Sequence, residues 1–288
     1  MLFIIGTIVI IVCVIGSFAI MGGHLAVLNQ PYELAIIFGS ACGALIISNP
    51  FSNIKKVLGA LKEMLACKMN TKESFIELLS VLYVVCKFSK SKGNIKLESH
   101  ADNPEESAIF TEYPGFLEKK EAVQLLCDAL RVIIIGITNP HQIEELMEEE
   151  ISTFSKECSE ISGAVEAMAD GLPALGIVAA VLGVIKTMGH INDAPEILGG
   201  LIGSALVGTF LGVLLAYGFV APIANIIKKL HNDRKRYLEC IKTAVIAHLS
   251  GCAPAISIEF ARKTIFADIR PTFQELDPIL NSLSIPNA

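Results

Sequence analysis

Two long apolar runs in the second half of the chain set its pattern. One reads GLPALGIVAAVLGVIKTMGH from Gly171, the other ILGGLIGSALVGTFLGVLLAYGFVAP to Pro222, and a short polar hairpin, INDAPE, joins them. Each is long enough to cross a bilayer, because roughly 20 helical residues at about 1.5 Å rise cover a hydrocarbon core of about 30 Å. Glycine, alanine, serine and threonine recur through both runs. At helical spacing, Pro173, Gly176, Ala180, Gly183 and Thr187 share one face, and Ala205, Thr209, Gly212 and Ala216 share a face of the next helix. Small faces let helix backbones approach closely in lipid, where no hydrophobic force drives association. They read either as packing seams or as the wall of a pore or partner-helix groove.

Two further apolar stretches lie at the start. Met1 to Met21 is almost uninterrupted, and the first Lys or Arg is Lys55, so a retained transmembrane helix is predicted instead of a cleavable signal peptide. A turn, GGHLAVLNQPYE, leads to a second stretch from Leu34 to Ile47, which needs flanking residues to span. From Asn49 to Asp170 the pattern turns amphipathic. Helices are predicted over Ile54–Leu65 and Phe75–Phe88. The run SKSKGNIKLESHADNPEESAIFTEYPG breaks the periodicity with Gly93, Pro104 and Pro114. A helix over Leu117–Ile137 follows, and another starts at Asn139-Pro140 with the acidic run IEELMEEEISTFSKECSE, read as a solvated face. After Pro222 come Lys228, Lys229, Arg234, Lys235 and Arg236, then an amphipathic tail. The predicted class is an all-α integral membrane protein with four transmembrane helices. Its divisions are a first hairpin (1–48), an inserted cytoplasmic helical domain (49–170), a second hairpin (171–222) and a cytoplasmic C-terminal tail (223–288).

Charge sets the orientation. Of the 23 Lys and Arg residues, only Lys186 lies within a membrane hairpin, and neither short membrane loop contains one. The positive-inside rule therefore places the large domain, the tail and both termini in the cytoplasm. Hydrophobic residues make up 52% of the chain against 18% charged, which fits a membrane protein with sizeable aqueous parts. The net charge of -6, with no basic cluster interleaved with aromatics, argues against a nucleic-acid partner.

The candidate chemistry is sparse. Eight cysteines, Cys67 among them, form no CxxC pair, and the six histidines show no ligand spacing, so no disulfide, metal or cofactor is expected. GSACG and GSALVG are not nucleophile elbows, and no P-loop, dinucleotide fingerprint or HExxH occurs, so the chain is not read as an enzyme. The spans hold no Asp or Glu well inside the hydrocarbon; Glu33 and Asp170 sit at span edges. An ion pathway normally carries an intramembrane ionisable group. If this chain moves protons, the titrating carboxylate comes from another chain.

Five blocks, in order and around the same four-span layout, resemble the MotA family of flagellar motor stator subunits: Gly22–Gly23 with NQPYE and FGSACGA; ESHADNPEESAIFTEYP; DGLPALGIVAAVLGV; LVGTFLGVLLAYGFVAP; and EFARKTIFADIRPTFQEL. The resemblance covers essentially the whole chain. It implies a homo-oligomeric ring in the bacterial inner membrane around MotB, whose single membrane helix carries the proton-accepting aspartate, with torque delivered to the rotor protein FliG. Pro173 and Pro222 match the family's two functional prolines. Ala180 and Thr209 match positions lining the ion path. Sodium-driven relatives carry threonine at the first of these, so Ala180 points to protons. Lys90 and Glu98 fall where the family has charged rotor-contacting residues, and lysine at the first, often arginine, loses the bidentate fork. The alternative is an ExbB- or TolQ-like energiser of outer-membrane processes, which lacks the first hairpin.

Overall fold

A computed structural model of the chain describes residues 2–66 and 69–285, so Cys67 lies outside the described residues. Every regular element among them is helical. The first half carries Leu2–Ile11 (α1), Ser17–Ile20 (α2), Leu25–Leu28 (α3), Pro31–Ser48 (α4), Phe51–Ala66 (α5), Lys72–Lys92 (α6), Glu98–Asp102 (α7), Pro114–Leu117 (α8) and Lys120–Ile135 (α9). Then follow Pro140–Met188 (α10), Pro195–Val213 (α11), Ala221–Leu249 (α12), Pro254–Lys263 (α13) and Phe273–Ser282 (α14). Among the described residues, four helical stretches are long and apolar enough to cross a membrane: Phe3–Ile20, Leu25–Ser48, Pro140–Met188 and Pro195–Leu249. They overlap the four apolar runs read from the sequence.

The chain divides into two compact units, Met1–Cys67 with Cys158–Lys229, and Lys68–Glu157 with Leu230–Ala288. In the first unit, Gly22 (φ 84°) turns the chain after α2. The expected outer turn then contains the short helix α3, and α4 starts with Pro31 in its first turn, where a missing N–H costs nothing. Gln30 anchors this corner by donating to the Ser204 hydroxyl at 2.8 Å. Ile37 and Ala41 of α4 meet Leu172 and Ala179 of α10 and Ala216 in one small apolar core. α5 is amphipathic: Val57, Ala60 and Met64 are buried, and Phe51, Leu58 and Leu65 are exposed.

The second unit has the large core. Phe75, Phe88, Phe110 and Phe116 are fully buried among leucines of α6 and α9 and residues of α12. α6 is capped by Thr71, whose hydroxyl accepts from the Ser74 N–H. The stretch expected to be irregular winds through two 3-10 turns and α7, after Gly93 (φ 85°) ends α6. α9 stops at Gly136 in the left-handed region, as an αL cap requires. In the acidic start of α10, Ile143, Met147 and Ile151 face the core while Glu144, Glu145, Glu148 and Glu149 are exposed. That is the solvated face the sequence predicted.

Two features differ from the sequence reading. The fourth aqueous helix and the third span are one uninterrupted α10, with Pro173 inside it. The change from amphipathic to all-apolar pattern near Asp170 marks a change of surroundings, and the backbone ladder carries on through it. The residues after Leu230 are also more than a tail, because Tyr237, Leu238, Ile241, Ile258 and Leu276 belong to the second unit's core. The EFARKTIFADIRPTFQEL block ties this arrangement down. Arg262, buried, makes a two-pronged ion pair with Glu259 (2.7 and 2.6 Å) and donates to the Pro271 carbonyl at 2.8 Å. Thr272 and Glu275 form a reciprocal capping box at the start of α14, and Glu275 accepts from Lys72 at 2.6 Å.

Candidate functional site

The second apolar pair, α10 and α11, meets along a seam with almost no side-chain volume. A Cβ placed on Gly176 would lie 2.9 Å from the Gly208 carbonyl oxygen and 3.0 Å from the Gly212 Cα. One on Gly212 would lie 2.8 Å from both the Gly176 Cα and the Leu172 carbonyl oxygen. One on Gly183 would strike Ala205. Backbone faces backbone here, the approach that small residues permit in lipid. Thr187, also buried, donates its hydroxyl hydrogen to the Gly183 carbonyl at 2.8 Å, so its donor is satisfied within the helix.

The seam runs along Leu172, Gly176, Ala179 and Gly183 of α10, one position from the predicted face at two of its residues. Ala179 and Ala180 are both small and adjacent, so residue type alone does not choose between them. The structure puts the Ala179 methyl beside Gly208 and leaves Ala180 half-buried at the seam's edge, with its backbone N 3.1 Å from where a Gly208 Cβ would be. Pro173 occupies the equivalent edge position two turns earlier and is likewise half-buried. On α11, Ala205, Gly208 and Gly212 are buried in the seam and Thr209 is half-buried beside it. Beside these edge positions the surface is apolar and unpartnered: Ile177, Val181 and Val184 on α10, and Ile202, Leu206 and Val213 on α11, are all exposed.

Pro222 has no N–H to donate to the Gly218 carbonyl, so the helix can bend there. The structure reaches it through a π-helical segment, Leu214–Val220, in which the Ala221 N–H bonds to the Ala216 carbonyl five residues back. The wider turn lies directly upstream of a residue that cannot donate. The first span carries a similar segment at Val12–Gly16. A Cβ on Gly218 would approach Ile10 to 3.6 Å, so the spans holding these two segments touch there.

Lys90 and Glu98 are exposed in the second unit, at the end of α6 and the start of α7. The segment between them is fastened from behind by a contact with no recognisable sequence signal. His248 Nε2 and the Ser89 hydroxyl are 2.9 Å apart, and Ser89 donates to the Asn94 side chain. Burial, and secondarily the Lys90 ammonium, holds the His248 pKa below its ordinary value. With the Ser89 hydrogen given to Asn94, a neutral imidazole protonated on Nε2 donates to the serine oxygen without adding charge beside Lys90.

A glycine seam between two long apolar helices, joined to a separate helical unit with its own core, is the arrangement to set beside known proteins. The MotA/TolQ/ExbB proton channel family matches residues 118–240, and the N-terminal region of motility protein A matches residues 4–93. Motility protein A of Salmonella typhimurium is 39% identical over 287 residues, covering 100% of this chain and 97% of that protein. In fold, the chain is similar to the structure of C. jejuni MotAB (TM-score 0.78, 19% identity, 94% and 98% of the two chains). It is also similar to the flagellar MotAB stator complex from Bacillus subtilis (TM-score 0.71, 22% identity, 89% and 92%). The chain belongs to the motility protein A family of flagellar stator subunits. The match over residues 4–93 favours this family over an ExbB- or TolQ-like energiser.

Proposed function

We propose that this chain spans the bacterial inner membrane four times, with both termini and the residues between the hairpins in the cytoplasm. Copies of it form a ring around a MotB-like partner, and together they conduct protons and turn the flux into torque on the rotor protein FliG. The observation that carries the reading is the pairing of a close-packed α10–α11 seam with an apolar, carboxylate-free surface beside it. The seam fixes two helices as one wall. Ala180 and Thr209 sit at the edge of that wall, where an inserted partner helix can bring its aspartate alongside them. Alanine offers no side-chain oxygen to a dehydrated cation, which favours protons. Thr209 retains a hydroxyl that can take part in a hydrogen-bonded relay.

Pro173 and Pro222 supply coupling in this reading. Each removes one backbone donor from a helix that runs on past it, which leaves a place where the helix can flex when the partner's carboxylate changes charge. Lys90 and Glu98 offer opposite charges to FliG and set its orientation by long-range attraction.

The test is restoration of swimming in cells lacking their own motility protein A, with the cognate partner supplied. Swimming should return, and its speed should be unchanged when sodium in the medium is replaced by potassium. A sodium-dependent speed would overturn the proton assignment. Glu98→Lys should weaken rotor engagement and be rescued by a reversed charge on FliG; a failure of every pairing would remove Glu98 from that surface.

A further inference from the structure

In the second unit, α9 and the first part of α10 leave an open groove of about 990 Å³ between them. Its floor is apolar, made by Val132, Leu146, Phe154 and Leu238, and Leu146 is left 40% exposed. Its walls carry Glu121, Asp128, Glu145, Glu149, Glu150 and Glu157, and no lysine or arginine lines it. Arg131 offsets part of this charge, bonding Asp128 at 2.6 Å and Asp102 at 3.0 Å. Glu150 is half-buried, and desolvation followed by the nearby Asp128 charge raises its carboxyl above the ordinary value. The groove therefore holds carboxylates in partial burial against one another, around an uncovered hydrophobic strip.

We propose that this groove docks a cationic amphipathic helix of another protein. The shape and the charge call for the same occupant. A slot between two helices with an apolar floor takes the apolar face of a third helix, through anchors at i, i+3/i+4 and i+7. The acidic walls select lysine or arginine flanking those anchors, and a cation beside Glu150 would relieve its repulsion from Asp128. An anionic lipid headgroup or a nucleic acid is repelled by the same walls. A second copy of this chain seated in the groove is the competing outcome of the test. The proposal does not depend on Lys90 or Glu98, which do not line this groove.

The experiment uses the full chain assembled with its partner in lipid nanodiscs. Two fluorescent helical peptides serve as probes, one with leucines at i, i+3/i+4 and i+7 flanked by lysines, and a control with each lysine replaced by glutamate. The lysine peptide should bind, and raising salt from about 0.05 to about 0.5 M should weaken it at least about tenfold, since screening shortens the reach of surface charge. The double variant Glu145→Lys/Glu149→Lys should weaken it by a similar factor. Both positions are solvent-exposed, so circular dichroism and assembly should be unchanged. Leu146→Cys bearing a photoactivatable crosslinker should capture the lysine peptide. Failure of the lysine peptide to bind, binding unaffected by the charge reversal, or equal binding of the glutamate peptide would overturn the proposal. So would crosslinking from residue 146 to a second copy of the chain in the peptide-free complex.

Discussion

The two units of this molecule are both helical, and they are held together in opposite ways. The second unit buries four phenylalanines and a leucine-rich layer, so its helices stand apart by the width of large side chains. In the first unit the α10–α11 contact has almost no side chain in it, and glycine backbone lies against glycine backbone. In water, removing apolar surface from solvent is the main driving force, and large side chains remove the most. In lipid that force is absent, and close approach recovers dispersion and weak polar contacts instead. The same chain therefore uses volume on one side of its architecture and the lack of volume on the other.

Substitutions with opposite signs should expose this difference. The largest effect is expected at the second unit's core. Phe75→Ala, at a fully buried site packed against Tyr237, should cost about 3–5 kcal/mol, the usual range for a core phenylalanine, and should appear as early protease cleavage of that unit. Removing volume is what harms this region. At the seam, adding volume should harm. Gly212→Val would push a side chain against the Gly176 Cα and the Leu172 carbonyl, and backbone on both sides cannot step aside. A cost of about 1–3 kcal/mol and loss of assembly with the partner are expected, read by co-purification. Gly163→Ala, on α10 but with open space where the Cβ would go, should assemble normally and gain up to about 1 kcal/mol from helix propensity.

Smaller effects are expected at the capping box. Thr272→Ala should lower stability by about 1 kcal/mol, by removing the acceptor for the Glu275 N–H. The same corner carries a pH signature. The Lys72 ammonium, with the Thr272 donors, pulls the Glu275 carboxyl from 4.5 down to about 2. Its folded pKa is below its unfolded one, so its contribution is complete above about 4.5 and is lost as pH falls from there towards about 2. Thermal melts should therefore fall less over that window in Lys72→Met than in the parent chain. An equal fall in both would remove this pair from the acid response.

The sequence made the spans legible because apolar length is a strong signal, and it made α6 and α9 legible because their amphipathic periods are clean. It did not reveal that α10 runs unbroken from Pro140 to Met188, since helical hydrogen bonding is indifferent to whether the outward face meets water or lipid. Nor did it distinguish Ala179 from Ala180 in the seam, because two small neighbours satisfy the same spacing and only the position of α11 decides between them. The π-helical segments at Val12–Gly16 and Leu214–Val220 carry no residue code of their own. The EFARKTIFADIRPTFQEL block was visible as a family resemblance. Its physical role, a buried arginine at 262 and a capping box at Thr272 and Glu275 that tie down α13 and α14, needed coordinates. Likewise nothing in the spacing of Ser89 and His248 announces that they meet.

The claim on which the functional account stands is that the wall beside the seam, at Ala180 and Thr209, completes a proton path with a carboxylate from the partner. The most direct measurement follows cytoplasmic pH in cells co-expressing this chain with an unplugged MotB-like partner, with and without that partner's membrane aspartate, and with Thr209→Leu in this chain. The account predicts acidification that needs both chains and the aspartate, and that Thr209→Leu suppresses while the complex still co-purifies. Assembled, unplugged complex with no proton flux, or flux indifferent to both the aspartate and Thr209→Leu, would contradict it.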